Sequence, residues 1–218
     1  MENKKLLEIY DILLKHFGAQ EWWPARTRFE VVIGAILTQN TNWKNVEKVI
    51  EKLKERNLLE PEGLRKISET ELCEIIRPAG YYNQKAKKLH KFLEFLFREY
   101  GGSMDGIINA DRDTLRAQLL DIWGIGEETA DAIVLYADDK TSFVIDAYTR
   151  RVFTRMGTLD GIMTYGEIKD FFEKNLPDDL ELYKEFHALI DELAKNYCTA
   201  KPRCDACPVR GLCARKID

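Results

Sequence analysis

Residues 120–130, LDIWGIGEETA, join two stretches of chain in which apolar residues recur at helical spacing. In this segment Gly124 and Gly126 flank a single apolar residue, Ile125. Two glycines allow the chain to reverse tightly while the isoleucine enters the core, and the first backbone N–H groups of the second helix are then free to bind an anion. The segment predicts a hairpin between two helices, although an ordinary interhelical turn would use the same residues.

Helical spacing of apolar residues extends over most of the chain on both sides of this hairpin. The stripes fall in residues 6–17, 29–37, 46–53, 89–96, 130–137 and 183–193. Ser68 with Glu71, and Thr164 with Glu167, have the spacing of a capping box. The one strand-like run, residues 142–145, is too short to build a sheet. The sequence therefore predicts an all-α protein with about ten closely packed helices.

The composition is that of a water-soluble globular protein. The chain has 218 residues, of which 45% are apolar and 32% are charged. It lacks the run of about 18 apolar residues that a membrane-spanning helix needs. Charges within residues 1–17 also interrupt the apolar stretch that a signal peptide requires. We therefore expect a cytoplasmic protein.

The charge is unevenly distributed along the chain. The net charge of −4 by itself argues against nucleic acid as a partner. From Lys195 to the C-terminus, however, six basic residues stand against two acidic ones, so this tail carries +4 and the preceding residues carry −8. The asymmetry indicates a basic docking face, unless it is only an ordinary scatter of charges.

The cysteines are concentrated at the end of the chain. Four of the five lie within the last 21 residues, at Cys198, Cys204, Cys207 and Cys213, whereas Cys73 lies alone in a helical stretch. A disulfide framework is not expected in a cytoplasmic chain of this size. Zinc sites usually consist of two close pairs, whereas this cluster has one close pair and two wider arms, which favours an iron–sulfur cluster over zinc.

A carboxylate follows the hairpin. Asp146 lies 18 residues after Glu128 and directly before a helical segment. An aspartate in this position is usually an N-cap, and the alternative is a catalytic carboxylate.

Together these features resemble the helix-hairpin-helix DNA glycosylase superfamily, and in particular its endonuclease III branch. The resemblance runs from about Arg26 to Cys213 and rests on residues 37–41 (LTQNT), residues 79–86 (AGYYNQKA), the hairpin followed by Asp146, and the terminal cysteines. The first gap of the cysteine pattern has five residues where the family usually has six, which we interpret as a shortened loop.

The resemblance implies two helical lobes with duplex DNA, containing a damaged base, bound across their cleft by a monomer. Residues 22–133 would form a helical barrel ending in the hairpin, and residues 1–21 with 134–218 would form the lobe that carries a [4Fe-4S] cluster on the four terminal cysteines. The damaged nucleotide would be flipped out of the duplex. Gln39 and Tyr81 would fill the gap and wedge the opposite strand. Further DNA contacts are expected from Asn83, Lys85, Gly124, Gly126 and Thr129.

One departure from the family pattern bears on the chemistry. Bifunctional members carry a lysine where this chain has Glu128, and that lysine forms a Schiff base that leads to strand cleavage. A carboxylate cannot do this. Asp146 matches the family's catalytic carboxylate, which can stabilise an oxocarbenium-like state and orient a water. The resemblance therefore implies a monofunctional glycosylase, with Glu128 as an accessory group or a solvent-exposed side chain.

Tryptophans suggest the damaged base. Trp22, Trp23 and Trp43 lie close to the Gln39 segment in sequence, and tryptophan faces attract cationic rings. The Trp-Trp-Pro segment also resembles the 3-methyladenine glycosylases of this branch. We therefore expect an alkylated purine as the substrate. The alternative is that Trp22 and Trp23 are simply core residues.

Other functions remain open at this point. The enzyme could instead process mismatched thymine or uracil or an oxidised pyrimidine, with or without lyase activity at abasic sites. It could also be a non-catalytic iron–sulfur module that binds DNA, although such a module would have no need of Asp146.

Overall fold

The computed structural model describes residues 2–20, 22–23 and 25–217, and within them it contains helices and no strand. The α-helices, in chain order, are α1 Glu2–Phe17, α2 Arg28–Thr38, α3 Trp43–Glu55, α4 Pro61–Lys66, α5 Glu69–Ile76, α6 Tyr82–Tyr100, α7 Met104–Ile108, α8 Arg112–Leu120, α9 Glu127–Tyr136, α10 Ala147–Arg155, α11 Tyr165–Asn175 and α12 Leu180–Asn196. Short 3-10 turns occupy Arg77–Ala79, Cys204–Ala206 and Arg210–Leu212. The all-α prediction is confirmed.

The chain divides into two compact units. The central unit is Trp23–Lys140, and the terminal unit combines the chain up to Trp22 with the chain from Thr141 onward. None of the helices described here is long and apolar enough to cross a membrane.

The central unit is built around α2. Thr27 caps this helix by accepting a hydrogen bond from the backbone N–H of Glu30, and every residue from Phe29 to Leu37 is buried. A helix that is buried on all sides must be enclosed by others, and α3, α6 and α9 pack against it, while the buried Glu30 pairs with Lys54 of α3. The long helix α6 ends at Gly101, whose φ of +60° is a left-handed conformation that glycine adopts without strain.

The terminal unit has an aromatic core between α10, α11 and α12. Phe143 stacks on Phe172 with 4.4 Å between ring centroids, and Phe153 meets Phe172 edge-on at 4.9 Å. The strand-like residues 142–145 are buried and lead into α10 without forming a strand. Thr164 and Glu167 make both hydrogen bonds of the capping box that their spacing predicts.

Candidate functional site

The hairpin of the central unit connects α8 to α9. Gly124 has a φ of +88°, and a Cβ atom there would lie 2.6 Å from the side chain of Lys88, so both conformation and space require glycine. Ile125 is 5% exposed, and it therefore enters the core as the sequence predicts. Gly126 precedes α9 without a side-chain cap, which leaves the first N–H groups of that helix for other partners.

Acidic residues open α9, and the structure shows how one of them is compensated. Glu127 lies 3.8 Å from the guanidinium of Arg116, which also binds the buried carboxylate of Asp131 through two hydrogen bonds of 2.7 and 3.0 Å. Glu128, the residue at the lysine position, is exposed on the first turn. Arg116 was missed by sequence reasoning because one arginine in an amphipathic helix carries no distinguishing pattern.

Gln39 contacts the hairpin. Its amide N–H groups donate to the carbonyl oxygen of Gly124 at 3.2 Å and to the hydroxyl of Thr129 at 2.9 Å. Its amide oxygen accepts a hydrogen bond from Lys88. Gln39 thus connects the end of α2 with the hairpin. Three of the residues predicted to contact DNA, Gln39, Gly124 and Thr129, therefore lie side by side. Thr129 itself is 7% exposed.

The turn before α6 presents an aromatic side chain to solvent. Tyr81 is 66% exposed and has a φ of +46°, a left-handed conformation that is uncommon for residues other than glycine. Asn83, the second residue of α6, is also exposed. Both positions leave the side chains accessible to a large ligand.

Lys85 requires a correction. The sequence predicts that it contacts DNA, yet it is 2% exposed, and its ammonium donates to the carbonyl oxygens of Leu37 at 2.8 Å and Ala79 at 2.7 Å. Burial, together with the positive charge of Lys88, lowers the pKa of Lys85 to about 8. A side chain that is committed to two internal carbonyls does not reach a phosphate.

Asp146 lies at the start of α10 in the terminal unit and serves as its N-cap. One carboxylate oxygen accepts a hydrogen bond of 2.7 Å from the backbone N–H of Thr149. The other lies 3.9 Å from Nε2 of His187 on α12. Ligand atoms of Asp146, His187 and Asp191 all lie within 4.8 Å of one another. The N-cap interpretation is correct, and the same carboxylate faces a cluster of ionisable groups.

Two buried members of this cluster have shifted pKa values. Burial and then the charge of Asp146 raise the pKa of Asp191 to about 8, although Lys195, 2.9 Å away, opposes the shift. Burial lowers the pKa of His187, and Asp146 only partly counteracts it. Both shifts disfavour the charged form of the group, because each side chain is buried away from water. Sequence reasoning missed these residues because His187, Asp191 and Lys195 follow the four-residue spacing of any polar stripe on a helix.

The predicted tryptophans have different surroundings. Trp22 stacks on His187 with 5.6 Å between centroids and 3° between planes, and the ammonium of Lys195 lies 5.1 Å from its ring centroid. Trp23 and Trp43 are in the central unit, where they meet edge-on at 5.3 Å and cover Gly34 of α2. Of the three, Trp22 is the one that shares the cluster around Asp146.

The four terminal cysteines are brought together in the terminal unit. All four are free thiols that line one cavity, with Arg155 and Val209 among the other lining residues. The sulfur of Cys213 accepts a hydrogen bond of 3.3 Å from the backbone N–H of Arg215, and that of Cys198 lies 3.6 Å from the guanidinium of Arg155. Four thiols around one cavity, with N–H groups directed at their sulfurs, fit a metal centre with thiolate ligands.

The family profile described as "HhH-GPD superfamily base excision DNA repair protein" matches residues 33–178, which span the hairpin and Asp146. The chain belongs to this superfamily. It is a DNA glycosylase of base excision repair, as its relatives are.

The similarity to individual members of the superfamily extends over nearly the whole chain. A protein of Methanocaldococcus jannaschii, provisionally described as a DNA repair glycosylase, is 53% identical over 99% of both chains. A structure of a 3-methyladenine DNA glycosylase of H. pylori bound to 1,N6-ethenoadenine is 34% identical, with a TM-score of 0.74 over 88% of this chain and 95% of that one. A non-covalent endonuclease III–DNA complex is 25% identical, with a TM-score of 0.84 over 99% and 96%.

Proposed function

We propose that this glycosylase is monofunctional and hydrolyses the N-glycosidic bond of a damaged base in duplex DNA, with Asp146 as the catalytic carboxylate. The observation that carries the proposal is the pairing of Asp146 with Asp191. Asp191 is buried, whereas the Asp146 side chain keeps 16% of its surface exposed, so Asp146 is the carboxylate of the pair that a sugar can reach.

A carboxylate at Asp146 suits the cleavage of a glycosidic bond. As the bond to the base breaks, positive charge develops on the sugar, and a fixed carboxylate stabilises it without having to reorganise. The cap to Thr149 fixes one oxygen of Asp146, and a further hydrogen bond to Asp191 holds the carboxylate in place for the sugar or the attacking water. Water supplies the oxygen of the new bond and gives up a proton, which the carboxylate of Asp146 accepts, and the base leaves with the electron pair of the broken bond.

Two features support hydrolysis over strand cleavage. Glu128 occupies the position of the lysine that forms a Schiff base in bifunctional relatives, and a carboxylate cannot form one. Lys195 lies beside the Asp146 cluster, and its ammonium is bound to Asp191 at 2.9 Å. An ammonium held in this way has no free electron pair with which to attack the sugar.

For the base, we propose an alkylated purine, with 3-methyladenine first. The stacked pair of Trp22 and His187 offers an aromatic surface beside Asp146, and the H. pylori relative is described as a 3-methyladenine glycosylase. Purines alkylated at N3 or N7 are cationic and leave readily, so they need no strong general acid.

A neutral pyrimidine is the second candidate. The ammonium of Lys195 lies over Trp22, where a cationic ring would compete with it, whereas the carbonyl oxygens of uracil or mismatched thymine would accept its hydrogen bonds. Lys195 therefore distinguishes the two substrates. Removal of its charge should favour a cationic purine and disfavour a pyrimidine.

The experiment is a panel of duplexes, each with one lesion, treated with the wild type and with Lys195→Met. We expect 3-methyladenine to be released fastest by the wild type, and faster still by the variant. If G·U or G·T duplexes are processed while 3-methyladenine remains in place, the assignment of the base is wrong. A matched control is Lys184→Met, about three helical turns earlier on α12, which should leave the preference between purine and pyrimidine lesions unchanged.

For the cofactor, we propose that Cys198, Cys204, Cys207 and Cys213 hold a [4Fe-4S] cluster. Such a cluster supplies a rigid cross-link and, in some settings, electron transfer. The chain itself contributes the thiolates, the N–H of Arg215 and the guanidinium of Arg155. Exposed basic residues of the same tail, including Lys201 and Lys216, would bind the phosphates of the duplex to a monomer.

A further inference from the structure

Lys85 is a buried ammonium with an unusual pair of partners. Its two hydrogen bonds go to backbone carbonyls, and the structure records no ion pair with a carboxylate for it among the described residues. Burying a charge without an opposite charge is unfavourable, and here it lowers the pKa of Lys85 to about 8. Some requirement other than the stability of an ion pair must therefore favour lysine at this position.

The two carbonyls belong to separate segments. Leu37 is in the last turn of α2, where the carbonyl groups have no partner within the helix and where a cation is favourable. Ala79 is the last residue of the 3-10 turn Arg77–Ala79, ahead of α6. One side chain from the first turn of α6 thus binds the end of one element and the end of another.

Each carbonyl lies two residues before a side chain that is expected to probe DNA. Leu37 is followed by Gln39, and Ala79 is followed by Tyr81. Both segments also have left-handed backbone close by, at Asn40 with a φ of +54° and at Tyr81 with a φ of +46°. Such conformations are sparsely populated and persist only where neighbouring groups hold them.

We propose that Lys85 is a positioning residue that fixes the Gln39 and Tyr81 segments relative to each other, so that both side chains enter the duplex together. The proposal rests on the proposed roles of Gln39 and Tyr81 in duplex DNA, and it is independent of which base is removed. Lys85 acts through two carbonyls and touches neither the base nor the sugar.

Alternatives for the same contacts are less suitable. Methionine would fill the same volume but leave both carbonyls buried without a donor. Arginine carries enough donors, but its guanidinium is larger and planar and fits poorly in a site that is 2% exposed. A flexible chain with three N–H groups on one atom can reach two carbonyls that converge on a point.

The test uses the full protein and a duplex with an abasic-site analogue opposite 2-aminopurine, whose fluorescence rises when it is unstacked. Insertion of Gln39 and Tyr81 should unstack the reporter at saturating wild-type protein. With Lys85→Met, we expect the amplitude to fall to less than about half, because small displacements of positioned groups have large effects. The control is Lys140→Met, which removes another lysine of the same unit that donates to a backbone carbonyl, that of Ala110, and that also pairs with the buried carboxylate of Asp138.

The outcomes are distinguishable. A wild-type amplitude in Lys85→Met, with folding verified by circular dichroism, would overturn the positioning role, and so would an equal fall in Lys140→Met. If the wild type itself produces no rise, the assigned roles of Gln39 and Tyr81 fail and the proposal fails with them, while hydrolysis of the base by Asp146 is untouched. If Lys85→Met does not fold, Lys85→Gln provides the same comparison, because its shorter side chain does not reach both carbonyls; a fall is expected, and an unchanged amplitude would contradict the proposal.

Discussion

At the scale of single residues, Asp146 combines a structural and a chemical role, and one substitution separates them. Asparagine also caps helices, so Asp146→Asn should keep the hydrogen bond to Thr149 and lose the charge. We expect the single-turnover rate of base release to fall by on the order of a hundredfold or more, with duplex affinity little changed. The control is Asp179→Asn, the same change at the N-cap of α12. A rate within a few-fold of wild type would remove Asp146 from the chemistry.

The proton on Asp191 makes a second prediction at this scale. Its pKa in the folded protein, about 8, lies above the ordinary aspartate pKa of 3.8, so the folded state binds the extra proton between these pH values. The contribution of Asp191 to stability is therefore complete below about pH 4 and declines as the pH rises to about 8. Thermal unfolding from pH 5 to 8 should show a steeper loss of stability for the wild type than for Asp191→Asn. Parallel pH profiles would contradict the protonated state.

These two aspartates also show how far sequence reasoning extends at the residue scale. Asp146 is predictable because it lies at a fixed distance behind a recognisable hairpin. Asp191 is not predictable, because its role depends on its burial and on Asp146, which lies 45 positions earlier in the chain. The spacing of polar residues along one helix reveals neither its burial nor this neighbour. Lys85 was misassigned for the same reason, since an amphipathic pattern does not reveal which lysine is directed inward.

At the scale of elements, the two glycines of the hairpin, Gly124 and Gly126, provide a test of its backbone constraints. Gly124→Ala would meet Lys88 at 2.6 Å and adopt a φ of +88°, whereas Gly126→Ala meets nothing within 4 Å and has an ordinary φ of −98°. We expect Gly124→Ala to lower the free energy of unfolding by about 1–3 kcal/mol and Gly126→Ala by less than about 1 kcal/mol. Denaturant unfolding measures both. Equal effects would show that the hairpin is not constrained at Gly124.

The cysteine loop is the second element with a direct test. Anaerobically purified protein should be brown and contain about four irons per chain. Cys204→Ser should lose the colour and most of the iron, whereas Cys73→Ser, which changes a lone thiol in α5 of the other unit, should retain both. One zinc and no iron in the wild type would contradict the assignment.

Helices were the most predictable elements. The capping box at Thr164, the end of α6 at Gly101 and the buried Ile125 all follow from local residue chemistry that one sequence contains. The surroundings of the tryptophans were not predictable, because Trp22 and Trp23 are neighbours in sequence but belong to different units. Their contacts depend on how distant helices pack, and no local pattern encodes that.

At the scale of the whole molecule, the acidic protein must bind a polyanion through a limited basic surface. Charge reversal at the exposed Lys201 should weaken binding to every duplex. It should also reduce the slope of log affinity against log salt concentration by about one unit, the change expected for one lost phosphate contact. Lys174→Glu changes an exposed lysine on α11 and should leave the slope unchanged. If Lys201→Glu also leaves the slope unchanged, the terminal tail does not contact phosphates.

Hydrolysis without strand cleavage is tested most directly by one gel assay of the wild type on a duplex with a single excisable lesion. Samples are run before and after treatment with alkali, which cleaves abasic sites, and a parallel reaction contains borohydride, which traps a Schiff base as a covalent adduct. We predict strand breaks only after alkali and no adduct with borohydride. Breaks before alkali, together with a strong adduct, would contradict the hydrolytic mechanism and show that a lysine of this chain attacks the sugar.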